Sequence, residues 1–158
     1  MLTSRAFTLI ELLLSLTLLA ILLFFAVPFA SSMHEKNQIQ VIQDDIRSAI
    51  RFAKTQAMIS GNNILLTPLP DSNDWSNGML LFVDNPKHHY TADTQPLQKW
   101  QWFSSGIQVT WKGFQSSHYL LFSADLSKNA TNGTFIIRNQ SQIRVKLVVN
   151  RLGMVHFI

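Results

Sequence analysis

A chain of 158 residues with 47% hydrophobic and only 14% charged residues has room for one modest globular domain, and its apolar content excludes a disordered polymer. The lack of cysteine excludes disulfides, thiolate metal sites and a cysteine nucleophile. The net charge of +4 is unevenly spread: no Asp or Glu follows Asp125, whereas Lys128, Arg138, Arg144, Lys146 and Arg151 do, so the C-terminal part is basic.

The first element is the apolar run from Phe7 to Ala30, FTLIELLLSLTLLAILLFFAVPFA. As a helix it would extend roughly 36 Å at about 1.5 Å per residue, enough to cross a hydrocarbon core of about 30 Å. Arg5 precedes it, and Lys36, Arg47, Arg51 and Lys54 lie beyond. Charge bias in the short flank places the N-terminus in the cytoplasm and the rest outside the membrane. A cleavable secretory signal is the plainer alternative, with Ala30-Ser31-Ser32 as its cutting site, but its apolar region should be shorter. Glu11 fits neither reading, because a carboxylate within a membrane segment costs about 2.5–3.5 kcal/mol even on the lenient scale. With no cation within reach on the same helix, its partner is expected from another chain or from a newly made amine.

Arg5-Ala6 followed by Phe7-Thr8-Leu9-Ile10-Glu11 and the apolar run resembles the N-terminal motif of type IV pilin-like proteins. The resemblance implies that a prepilin peptidase cuts between Ala6 and Phe7, that the new amine is methylated, and that Glu11 pairs with the amine of a neighbouring subunit. Ala6 departs from the glycine usual before the cut. Residues 1–6 are then a leader, 7–30 a transmembrane and assembly helix, and 31–158 a periplasmic domain with a helix over 32–60 and a β-rich part over 63–158. Pro28 removes the usual hydrogen-bond partner of the Phe24 carbonyl, so a kink or a melted turn is expected there. By the same resemblance, Pro28 gives the helix a point of loosening in the assembled fibre.

From Ser32 to Ser60 the pattern becomes amphipathic. Ile39, Ile42, Ile46, Ala49 or Ile50, Ala53 and Ala57 recur at helical spacing, while Asp44, Arg47, Arg51 and Lys54 fall elsewhere. This face should pack on a sheet. Ser32 and Glu35 have capping-box spacing, which predicts a helix restarting after Pro28, and Gly61 supplies its stop.

Strand-like runs follow at 64–67, 79–83, 98–103, 107–111, 119–123, 134–138, 143–149 and 154–158, separated by turn-rich pieces. Short connections favour antiparallel pairing, so the expected fold is α+β: a membrane-spanning helix extended into an amphipathic helix packed on one or two antiparallel sheets. Arg51-Phe52-Ala53-Lys54-Thr55-Gln56-Ala57 with Ser60-Gly61-Asn62, and Trp75-Ser76-Asn77-Gly78 before Leu81-Phe82-Val83-Asp84, resemble the GspH/FimT branch of that family.

Catalytic machinery is not legible. Past the apolar run only Glu35 and seven aspartates remain, without a convergent pair, and no nucleophile elbow, Walker loop or dinucleotide fingerprint is present. His88-His89 lie in a Pro-containing loop without zinc-site spacing, and Asp71, Asn73 and Asp74 match only a fragment of a calcium loop. No cofactor and no bound metal are expected. Trp100, Trp102 and Trp111 read as core or subunit-interface packing ahead of a nucleic-acid platform. In the C-terminal strand Ile143, Val145, Leu147 and Val149 alternate with Arg144 and Lys146, so both cations should emerge on one face, with Arg151 in the turn beyond. These three are the candidate DNA contacts, set against a simpler role in blunting a sheet edge. DNA-uptake members of the branch carry a Gly-Arg-x-Arg motif there. The matching residues here are Asn150, Arg151, Leu152 and Gly153, so one arginine is absent, although Asn150 could still take a left-handed turn.

The sequence thus points to a non-enzymatic minor pilin or pseudopilin at or near the tip of a type II secretion pseudopilus or a type IV pilus, promoting fibre assembly. Its expected partners are other pilins, the prepilin peptidase and the bacterial inner membrane. The alternative is a DNA-binding minor pilin serving DNA uptake, with weak binding. The sequence does not choose between the two machines.

Overall fold

The computed structural model describes residues 8–70, 74–91, 93–103, 106–140 and 142–158, with the backbone alone over 25–32. They fall into two compact units divided between Gln38 and Ile39. One helix, α1 (Leu9–Ser60), contributes to both.

The helix is continuous, so neither the melted turn expected at Pro28 nor the restart at Ser32 appears. A proline removes one i→i−4 hydrogen bond, and the helical turns on either side carry the backbone across that loss. Thr8 and Glu11 start it reciprocally. The Thr8 amide and hydroxyl donate to Glu11 Oε2 at 3.0 and 2.8 Å, and the Glu11 amide donates to Thr8 Oγ1 at 3.4 Å. This is a capping box with T-x-x-E spacing. It ends as expected: Gly61, at φ 69°, donates its amide to the Ala57 carbonyl at 3.0 Å.

In the first unit every described side chain from Thr8 to Phe24 is exposed. Among the described residues no helix is long and apolar enough to cross a membrane. The stretch with described side chains, Leu9 to Phe24, measures roughly 24 Å at about 1.5 Å per residue, and the apolar sequence continues to Ala30.

In the second unit the strands are β1 (Ile64–Pro68), β2 (Gly78–Val83), β3 (Pro96–Gln101), β4 (Ile107–Gly113), β5 (Leu120–Phe122), β6 (Gly133–Asn139), β7 (Gln142–Val149) and β8 (Val155–Phe157). They form two antiparallel sheets, ordered β3-β2-β1-β5 and β4-β6-β7-β8. The stripe Ile39, Ile42, Ile46, Ala49, Ile50, Ala53 and Ala57 is buried in one core with Leu66, Leu81, Phe122, Phe135, Leu147 and Val149, drawn from both sheets. A second cluster, Leu65, Leu69, Leu80 and Phe82 with Tyr90 and Tyr119, covers the other face of the first sheet, which is why β1 is buried at every residue.

The tryptophans are structural. Trp111 and Trp102 are buried in the main core, and Trp100 packs against it. Trp102 Nε1 donates to Asp45 Oδ2 at 2.8 Å, fastening α1 to the end of β3. Trp75, unremarked in the sequence beyond its place before the first hairpin, is also buried, edge-on to Phe135 at 5.2 Å. Trp111 has two glycine neighbours for a steric reason: a β-carbon on Gly133 would lie 2.5 Å from Trp111 Cη2, and one on Gly113 would lie 2.5 Å from its Nε1. We expect Gly133→Ala to lower stability by about 1–3 kcal/mol, the usual cost of overpacking a filled core. Chemical denaturation followed by tryptophan fluorescence measures this, and an unchanged midpoint would show that the sheet gives way freely.

Candidate assembly and binding surfaces

Ala6 and Phe7 lie outside the described residues, and so does the side chain of Pro28. Glu11 is exposed on an exposed apolar helix, with Thr8 as its local hydrogen-bond partner. Thr8 is thus a hydrogen-bond partner within the chain, but not the charged partner expected from a neighbouring subunit. The bonds from Thr8 satisfy lone pairs but bring no opposite charge, so they leave the carboxylate's electrostatic demand in place.

The candidate DNA contacts do not form one cluster. Ile137 pairs with Val145 but Arg138 pairs with Ile143, so Arg144 is an extra residue in β7 and the strand bulges there. The bulge breaks the alternation read from the sequence. Ile143, expected to face the core with Val145, is 49% exposed. Lys146, opposite Ile136, stands on the outer face. Arg151 is tied up elsewhere: its Nη2 donates to the Ser127 carbonyl at 2.5 Å, beside Asp125. Hydrogen bonds from the Ser127 hydroxyl and amide hold the Asp125 carboxyl below its ordinary range, and the charges of Lys128 and Arg151 act in the same direction.

The turn carrying Arg151 is built from side-chain bonds. Asn150 Oδ1 accepts from the amides of Leu152 and Met154, both at 2.9 Å, while Asn129 Nδ2 and Thr131 Oγ1 donate to the Arg151 carbonyl. The left-handed residue is Gly153, at φ 71°, rather than Asn150. Asn150 contributes its side chain, not an unusual backbone.

The second sheet contains no carboxylate: β4, β6, β7 and β8 carry Lys112, Arg138, Arg144, Lys146 and His156 against no Asp or Glu. Cross-strand register puts Lys112, Arg138 and Lys146 on its outer face, opposite Thr134, Gln108 and Ile136. Three further cations, Arg47, Arg51 and Lys54, line a groove of about 320 Å³ between α1 and Gly153–Val155. The periodicity places these three off the apolar stripe, and spacings of four and three put them on one flank.

His88, His89 and His118 line a separate cavity of about 290 Å³ with Thr67, Pro68, Pro70 and Tyr90. His88 Nδ1 lies 2.7 Å from Asp84 Oδ1, and its ring stacks on Tyr119 at 5.3 Å. Among the described residues no three metal-ligating side chains converge. The Asp84 contact therefore anchors the 84–90 loop over the second hydrophobic cluster. Asp74 likewise serves its own turn, its Oδ1 accepting from the amide and hydroxyl of Ser76 at 3.0 and 2.9 Å.

Comparison with known proteins agrees with this architecture. Two crystal structures of the type IV minor pilin FimU from Pseudomonas aeruginosa strain PAO1 share the fold. One gives a TM-score of 0.58 over 75% of this chain and 91% of the other, the second 0.61 over 78% and 90%, each at 19% identity. Comparison with curated proteins found no match. A model of the prokaryotic N-terminal methylation motif matches residues 1–27, and one of type II transport protein GspH matches residues 43–153. With the second model alone spanning well over half of its length, the chain belongs to the GspH family of type IV pilin-like structural subunits.

Proposed function

We propose that the chain is a non-enzymatic minor pilin or pseudopilin, held in the inner membrane by a single pass over residues 7–30 with its 31–158 domain in the periplasm. From there it is drawn into a fibre, at or near the tip, where it promotes assembly. The observation that carries this reading is the bare helix: twelve large apolar side chains between Leu9 and Phe24 are each more than half exposed. At about 1.5–3 kcal/mol for each fully exposed side chain, leaving them in water costs on the order of 10 kcal/mol or more. The described part of this chain offers nothing to cover them, so lipid or neighbouring helices must. Both environments are what a subunit stored in a bilayer and then assembled through its helix would meet.

Processing is the first test. Intact-mass analysis of protein extracted from membranes should find the chain beginning at Phe7 with a methylated amine. Retention of Met1, or a cut near Ser31, would reject the reading. The second test concerns Glu11. Glu11→Ala removes an unneutralised charge from the apolar helix, so membrane anchoring and the fold of the domain should persist while incorporation into fibres falls at least several-fold. The measurement is the ratio of fibre-associated to membrane-associated protein, and wild-type incorporation would refute the pairing.

A second reading, a DNA receptor in such a fibre, draws on the carboxylate-free outer face of the second sheet. Three cations there supply at most a few phosphate contacts, each with a slope of about −0.9 in log affinity against log salt. Duplex DNA should therefore bind loosely at low salt and be released near physiological ionic strength, without sequence preference. Replacing Lys112, Arg138 and Lys146 together by Ala should remove residual binding in filter or anisotropy titrations, whereas replacing Arg144, Lys146 and Arg151 together should only weaken it. The contribution of Arg151 is expected to be the smallest, because its guanidinium is engaged with Ser127. Tight DNA binding at physiological salt that depends on these residues would make the receptor reading the leading one.

A further inference from the structure

β8 is an outer strand of the second sheet, paired with β7 on one side only. Lys146 and Ile158 exchange both backbone hydrogen bonds, and the Asn150 amide donates to the Met154 carbonyl. By antiparallel alternation, the N–H and C=O groups of Val155 and Phe157 then point away from β7, toward the open edge. Their side chains lie on the core face, opposite Val149 and Leu147. Phe157 is 44% exposed, Met154 48% and Ile158 81%. Alongside runs the groove lined by Arg47, Arg51, Lys54, Gly153, Met154 and Val155, without a carboxylate, and Arg47 Cζ sits 4.4 Å above the Phe157 ring.

We propose that this groove receives an extended, carboxylate-bearing polypeptide segment of a neighbouring protein, which adds to β8 as a fifth strand of the second sheet. Its backbone would pair with Val155 and Phe157, and its Asp or Glu side chains would meet Arg47, Arg51 and Lys54. Residues 47, 51 and 54 are about 6 and 4.5 Å apart along the helix axis, shorter than the roughly 6.8 Å repeat of same-face side chains on a strand by distances that long, flexible Arg and Lys side chains can span. The exposed Met154 and Phe157 supply apolar contact for the residues between.

The cations also select the occupant. A second copy pairing through the same edge would set Arg47, Arg51 and Lys54 against their own counterparts, so self-association is opposed. Duplex DNA would engage the charges but leave the strand edge and its apolar floor unused. The proposal rests on the fibre-subunit reading only for the source of the segment, since the edge and its charges are properties of this chain alone.

The test uses the full chain in detergent micelles and a short fluorescent peptide of alternating valine and glutamate, with a valine–lysine peptide and duplex DNA as comparators. The valine–glutamate peptide should bind at least about tenfold more tightly than its lysine counterpart, and should slow amide exchange at Val155 and Phe157. Arg47→Glu, Arg51→Glu and Lys54→Glu together should reverse the peptide preference. Val155→Pro removes an outward N–H that no β7 group uses, and exchanges a side chain packed against the core for a proline ring, so it should abolish binding while the sheet signal in circular dichroism is retained. Should that variant fail to fold, amide exchange in the wild-type chain decides. Equal binding of the two peptides, binding without slowed exchange at the edge, or duplex DNA displacing the peptide and itself slowing exchange there would each overturn the proposal. Glu11→Ala should leave peptide binding intact, so failure of fibre incorporation and failure of this surface are read separately.

Discussion

Everything in the second unit depends on one stripe of α1. Ile42, Ile46, Ile50, Ala53 and Ala57 are almost wholly buried, and the two sheets meet in the core they form. Small residues in the stripe let strands approach the helix closely, while the isoleucines fill the space between the sheets. Because two sheets share one helix, a change at Ile46 or Ile50 would be felt in both. The Asp45–Trp102 bond adds direction to this packing, fixing the rotation of the helix against the end of β3.

The same helix is apolar in two different ways, and the difference separates folding from function. Between Ile39 and Ala57 most apolar residues keep to one face, which the fold covers, with Val41 and Phe52 exposed off it. Between Leu9 and Phe24 they occupy every face, and the described fold covers none. A sequence that keeps a surface of this kind has a use for it outside its own domain. The cationic sheet and the Arg47–Lys54 flank show a milder form of the same economy, since single-signed charge adds nothing to the packing of the domain.

The helix stripe, the stop at Gly61 and the eight strands were legible because each is written in local periodicity or in a single turn residue. Strand boundaries shifted by a residue or two, as at Pro96, where β3 begins ahead of the expected Gln98. What periodicity cannot carry was missed or misjudged. The bulge at Arg144 inserts a residue that looks like one more step of alternation, so Ile143 was assigned to the wrong face. The position of β1 between β2 and β5 depends on a partner far along the chain. Trp75 stands alone among polar residues in a short 3-10 turn, with no pattern to mark it as buried. Among the site residues, Glu11 was recognised from its apolar surroundings, but its capping bonds with Thr8 went unread. Arg151 was counted as an available cation because its engagement with Ser127 spans 24 positions of sequence.

Trp111 and its two glycines form one packed unit across the end of β4 and the start of β6. Its indole Nε1 donates to the Ser116 carbonyl at 2.8 Å, and its ring lies where the β-carbons of Gly113 and Gly133 would otherwise stand. A smaller side chain at 111 would relieve only part of the crowding, because a β-carbon at 113 would also run into the Ser116 carbonyl oxygen and one at 133 would lie 2.6 Å from the Lys112 carbonyl oxygen. The glycines are therefore held by the backbone as well as by the indole. Related chains should keep both glycines even where the aromatic at 111 changes, a mark of the fold rather than of any partner.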